Sequence, residues 1–137
     1  MPNTKEHLSI IEHNYDVVKH LAKPDTQKFI DWSVTIIYYM AVHFVHAYLS
    51  KYSDHHPDSH IILQGAIRNT QQLKPIYDNY RQLEDDARRA RYKGEKLSIY
   101  DIRRDTLKWF KDIQNHISKS LKADGCKIYD FYKLFPL

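Results

Sequence analysis

Apolar residues recur along this chain at spacings of three and four, the period of helices that bury one face. The first such run spans about Thr4 to Ala22, with Leu8, Ile11, Tyr15 and Val18 on one face and Ile10, Val17 and Leu21 beside them. Asn3 followed by Glu6 has the form of a capping box, each side chain answering a backbone N–H that the helix leaves orphaned. Lys23-Pro24 ends the run, because proline pushes the preceding residue out of helical geometry. A second helix is predicted from Asp25 or Thr26 to about Tyr52. From Trp32 to Leu49 it holds 18 residues without Asp, Glu, Lys or Arg, close to the roughly 20 that a membrane span requires. Ser33, Thr35, three tyrosines, His43 and His46 make the segment too polar for hydrocarbon. It reads instead as a central helix surrounded by its neighbours.

Residues 53–60, Ser-Asp-His-His-Pro-Asp-Ser-His, read as a loop. Asp58 or Ser59 is placed to cap a short third helix carrying Ile62, Ala66 and Ile67. A fourth is predicted to start near Pro75, where the missing N–H costs little, with Ile76, Tyr77, Tyr80, Leu83, Ala87 and Ala90 on its face. Lys93-Gly94 stops it. Ser98, with Asp101 in the reciprocal position, opens a fifth helix that turns Ile99, Ile102, Thr106, Phe110, Ile113, Ile117 and Leu121 inward. Gly125 is its expected stop. The aromatic tail that follows, 126–137, should dock on the bundle or on a partner. These periods and short connections predict an all-α, up-and-down bundle of four or five helices, one domain over residues 1–137.

Composition narrows the class. A chain of 137 residues, 42% hydrophobic and 28% charged, is large enough to bury a core unaided. Three glycines and five prolines argue against a many-turned β fold or a disordered tail. One cysteine, Cys126, excludes an internal disulfide framework and multi-cysteine metal sites. Its place before an aromatic tail marks a small hydrophobe rather than a nucleophile. The N-terminal ten residues lack a signal-peptide or transit-peptide design, so a cytoplasmic protein is expected. The net charge of +4 is mild and permits nucleic-acid contact without requiring it. Eleven tyrosines suit half-buried contact surfaces, where the ring packs and the hydroxyl stays wet.

Three groups of residues carry candidate chemistry. Trp32, Ile36, Tyr39, His43 and His46 fall on one stripe of the second helix, opposite the plain core of Val34, Ile37, Ala41, Phe44, Val45 and Tyr48. Such an aromatic and imidazole row suits a ligand surface or an acid–base pair, and equally histidines satisfied within a core or dimer seam. His43 and His46, with His55, His56, Asp58 and His60 beyond, have ligand types that zinc accepts. No His-Glu-x-x-His accompanies them, and no metal is assigned. Third, Arg88-Arg89-Ala90-Arg91-Tyr92-Lys93 closes the fourth helix with guanidinium forks suited to phosphate and a tyrosine suited to stacking on a base. The same cations also complement a helix C-terminus, and Glu84 and Asp85 lie one turn back, in reach of Arg88 and Arg89. The glycine-rich phosphate loops and nucleophile elbow of common enzymes are absent from the sequence.

Tyr38-Tyr39-Met40-Ala41-Val42-His43-Phe44-Val45-His46-Ala47-Tyr48-Leu49, then His56-Pro57-Asp58-Ser59-His60, Tyr80-Arg81-Gln82-Leu83 and Ala90-Arg91-Tyr92 follow in order. This order resembles one branch of the prokaryotic HEPN-like proteins over about residues 30 to 92. The resemblance implies a four- or five-helix bundle that dimerises. For function it implies RNA cleavage in some members, and nucleotide or RNA binding or toxin–antitoxin partnership in others. Nucleolytic members carry an arginine followed by four to six residues and a histidine, and no arginine of this chain meets that spacing. Leu63 also stands where the branch has an arginine three residues past the loop histidine.

The expectation is therefore a non-catalytic HEPN-like homodimer that binds nucleotide or RNA without a cofactor. Tyr39, His43, His46, His60, Arg88, Arg91 and Tyr92 are its candidate ligand-binding residues. The alternative is a protein-interaction module, one half of a toxin–antitoxin pair with a cognate antitoxin or nucleotidyltransferase-like partner. A metal-independent ribonuclease, with a histidine meeting Arg88 or Arg91 outside the usual spacing, is the third reading.

Overall fold

The computed structural model describes residues 2–93 and 97–137. Four long helices carry the architecture: α1 (Thr4–Leu21), α2 (Ile30–Tyr52), α4 (Tyr77–Tyr92) and α6 (Leu107–Leu121), with a shorter α3 (His60–Asn69) after α2. One turn of helix, α5 (Ile99–Asp101), and a π-helical turn (Ile102–Thr106) lead directly into α6. Cross-contacts give the directions. Thr4 and His7 of α1 meet Ala47 and His43 of α2, so these two run antiparallel. Phe44 packs on Phe110 and Tyr52 bonds the Ser120 carbonyl, so α2 and α6 run the same way. Asn79 with Asp112 and Asp86 with Thr106 set α4 against α6. The result is the expected up-and-down bundle, with α2 packed on α1, α4 and α6.

Side-chain caps set the starts of α1, α3 and α5. The Asn3 box forms in full: Asn3 Oδ1 accepts from Glu6 N at 2.8 Å, and Glu6 Oε1 accepts from Asn3 N at 3.2 Å. Ser59 caps α3, its Oγ accepting from Ile62 N, and Ser98 caps α5, its Oγ accepting from Asp101 N. Gly125 stops the last helix at φ +85°, a left-handed conformation that glycine adopts without steric cost. Thr26 differs from expectation. It does not start α2; its hydroxyl donates to the His20 and Leu21 carbonyls that end α1, and a 3₁₀ turn (Gln27–Phe29) precedes α2. Gly94 of the expected α4 stop lies outside the described residues.

The predicted inward faces of α2 and α4 are largely buried, and that of the fifth helix is buried from Ile102 to Leu121. On α1 only Ile11 and Val18 of the predicted face are buried, with Leu8 and Tyr15 half-buried against the core. On α3 the face is rotated: Leu63 and Ile67 are buried, whereas Ile62 is 46% exposed. The π turn accounts for a second surprise, because one extra residue per turn brings both Thr106 and Leu107 inward. Thr106 Oγ1 then donates to the buried Asp86 at 2.9 Å. The tail lies on its own bundle, with Phe131 and Phe135 at 2% and 1% exposure. Arg103 Nη1 holds it there by donating to the Tyr132 and Phe135 carbonyls. No helix among the described residues is long and apolar enough to cross a membrane.

A candidate ligand-binding face on helix α2

Thirteen of the 23 residues of α2 are buried, Val34, Ile37, Ala41, Phe44, Val45 and Tyr48 among them. The stripe Trp32, Ile36, Tyr39, His43 and His46 keeps solvent contact, Trp32 being 55% exposed and the others half-buried. Alternating steps of four and three keep the five on one side of the helix, and no neighbouring helix closes over them completely.

The imidazoles of this stripe are joined by one from α1. His7, buried at 5% exposure, sets its Nδ1 3.0 Å from His43 Nδ1. It also stacks on His46, with ring centres 5.2 Å apart and planes within 12°. Two Nδ1 atoms at hydrogen-bond distance require one proton between them, so one ring must present a bare lone pair. Burial, then the neighbouring imidazoles, lower His7 to about 4 and His43 to about 4. Burial, then His56 and His55, lower His46 as well. Near neutral pH these rings are uncharged. They exchange hydrogen bonds and cannot supply cations to a phosphate. The sequence reading missed His7, although its i, i+4 relation to Ile11 places it on the inward stripe of α1.

Arg91 lies over the same stripe one helical turn away. Its guanidinium carbon is 5.8 Å from the centre of the Tyr39 ring and 5.2 Å from that of Tyr92, within the range of cation–π attraction. Nη1 of Arg91 is buried with no hydrogen-bond partner among the described residues, whereas Tyr92 is 76% exposed. Arg88 is exposed, and no hydrogen bond, ion pair or ring contact among the described residues ties it to Tyr39. The acidic turn before these arginines is arranged otherwise than by simple i, i+4 pairing. Arg89 pairs with Asp86, and Glu84, 3% exposed, points into the bundle.

Glu84 is the centre of a buried polar network that sequence periodicity did not suggest. Tyr38 Oη donates to its Oε2 at 3.1 Å and Gln64 Nε2 donates to its Oε1 at 2.6 Å. His60 Nδ1 lies 3.0 Å from Tyr38 Oη and 4.0 Å from the Glu84 carboxylate. Burial, with the neighbouring Glu84 and Tyr80, pushes the Tyr38 hydroxyl far above its ordinary pKa. The other edge of His60 is open, and with His46, Asp58 and Ser59 it lines a shallow hollow of about 170 Å³.

The seven candidates therefore fall into two adjoining groups and one outlier. Tyr39, Arg91 and Tyr92 are together; His43 joins His46, which shares a hollow with His60; Arg88 stands apart. Among the described residues no set of three histidine, cysteine or carboxylate side chains is placed to hold a metal ion. The Cys126 thiol is pushed up to about 11 by burial, which leaves it protonated and a poor nucleophile. No family model matches this chain, and no curated protein and no solved structure matches it.

Proposed function

We propose that this chain is a HEPN-like domain that binds a nucleotide or a short stretch of single-stranded RNA on the α2 stripe, without cleaving it and as a homodimer. The supporting observation is Arg91: a guanidinium within cation–π distance of Tyr39 and Tyr92, with a buried donor that no group among the described residues satisfies. A buried donor without a partner costs about 1–3 kcal/mol, a cost that a phosphate oxygen would remove. The exposed Tyr92 ring offers a stacking plane beside it, and the neutral imidazoles of His43 and His46 offer uncharged hydrogen bonds. The residue order of the HEPN-like branch and the helical bundle support the same reading. Trp32, exposed, and Ile36, half-buried, precede Tyr39, His43 and His46 on the same stripe and suit a dimer seam beside the site.

Trp32 on the stripe provides the signal for the test. Titration with a nucleoside monophosphate and with a short single-stranded RNA should change its fluorescence. Arg91→Gln should weaken binding by about 10- to 100-fold, the worth of a charged hydrogen bond. Equal affinity of wild type and Arg91→Gln, or no binding of either ligand, overturns the reading. Labelled RNA should stay intact from about pH 5 to 8.

The interaction-module alternative takes the tyrosine row and the aromatic tail as protein interface. The tail buries Phe131 and Phe135 within its own bundle, which removes part of that surface.

A further inference from the structure

Where α2, α3 and α4 meet, the hydrogen-bond capacities of six side chains fix where the protons between them lie. A carboxylate accepts and does not donate. Glu84 takes the one proton of Tyr38 on Oε2 and an amide proton of Gln64 on Oε1. Gln64 is itself oriented by Arg81, whose Nη1 donates to Gln64 Oε1 at 2.6 Å. With its proton given to Glu84, the Tyr38 oxygen meets its two remaining partners as an acceptor. Those partners are Tyr80 Oη at 3.2 Å and His60 Nδ1 at 3.0 Å. Two donors match the two lone pairs of a hydroxyl. In the neutral ring His60 must then carry its one proton on Nδ1, which leaves Nε2 as a bare lone pair.

That lone pair belongs to a side chain 54% exposed, on the wall of the hollow between α2 and the start of α3. The other walls are Val42, His46, Pro57, Asp58, Ser59 and Leu63, with no lysine or arginine among them. A site of this make-up repels anions and suits a group that brings its own proton. We propose that Glu84 is a positioning residue which, through Tyr38, fixes His60 as a proton acceptor, and that the hollow receives a hydroxyl or amino group of the ligand. The ligand half of this rests on the binding reading above and divides the site: the anionic group at Arg91, the proton-bearing group at His60. The tautomer half stands on the network alone.

Long-range ¹H–¹⁵N correlation of the histidine-labelled chain reads the tautomer directly. In wild type, near pH 7.5, His60 should show a protonated Nδ1 and a bare Nε2. Glu84→Gln and the isosteric Tyr38→Phe should both convert His60 towards a tautomer mixture while the His7, His43 and His46 signals hold. A protonated Nε2 in wild type, or a His60 signal that both variants leave unmoved, overturns the role of Glu84. Tyr38→Phe keeps that test decisive should Glu84→Gln fail to fold. Titration with cytidine, which is uncharged, should shift His60, and titration with inorganic phosphate should not. Phosphate shifting His60 overturns the ligand assignment while leaving nucleotide binding intact. A chain with the assigned tautomer that binds neither nucleotide nor cytidine removes the binding reading and the ligand assignment together.

Discussion

His7 shows how far a single side chain can depart from what periodicity suggests. It occupies an inward position of α1, where an aliphatic residue would be routine, and satisfies its polar edge against His43. His7→Leu should keep the packing but leave the His43 Nδ1 without its partner, costing about 1–3 kcal/mol by denaturant titration. An unchanged midpoint would show that water serves His43 equally well. Tyr92→Ala tests the opposite case, an exposed ring with little to do for stability. It should leave the melting temperature within about 2 °C while weakening RNA binding by about 1–3 kcal/mol, the usual worth of one stacked base. The apolar stripes of α2 and α4 were legible because each buried aliphatic residue repeats the helical period. Glu84 and Asp86 were not, since a buried carboxylate and a solvated one are the same letter. What distinguishes them is the partner across the interface: Tyr38 and Gln64 for the first, Thr106 and Arg89 for the second.

At the scale of elements, the join between α5 and α6 is the part that sequence described least well. The inward series from Ile102 to Leu121 reads as one regular helix, yet the backbone widens to a π turn over Ile102–Thr106. Two side chains explain the extra residue. Thr106 reaches the buried Asp86 of α4, and Arg103 on the outer side reaches the carbonyls of the tail. Thr106→Val keeps the shape and β-branching while removing the donor to a carboxylate that is 5% exposed. The expected loss is about 1–3 kcal/mol, read as a lower denaturant midpoint at constant slope. A neutral result would mean that Arg89 alone satisfies Asp86. On α3 the sequence found Ile67 but took Ile62 in place of Leu63, because a ten-residue helix gives too few repeats to fix its phase.

For the molecule as a whole, the histidine cluster makes stability depend on pH with a sign that can be worked out. An imidazole that titrates near 6.5 when unfolded and at about 4 in the fold binds more protons in the unfolded state between those limits. Stability is therefore complete above about pH 6.5 and is lost as pH falls towards 4. His7 and His43 act together on the α1–α2 seam, and His46, lowered by burial and by His56 and His55, adds to the same trend. Asp86 works against it: burial raises this carboxyl, so the fold takes up a proton there before the unfolded chain does, and acid favours the folded state at that group. The imidazoles outnumber it, so the net slope follows them. At about pH 5 the loss should be on the order of 2 kcal/mol for each of His7 and His43, together a fall of roughly 10–15 °C in melting temperature from that at pH 7.5. His7→Leu removes one titrating group and relieves its neighbour, and should flatten the profile between pH 7.5 and 5 even though it lowers the plateau. Parallel profiles for wild type and variant would place the acid sensitivity elsewhere in the bundle. Because the seam joins the N-terminal half of α1 to the α2 stripe, hydrogen exchange on acidification should quicken first in α1, ahead of the α4–α6 contact that Thr106 and Asp86 hold.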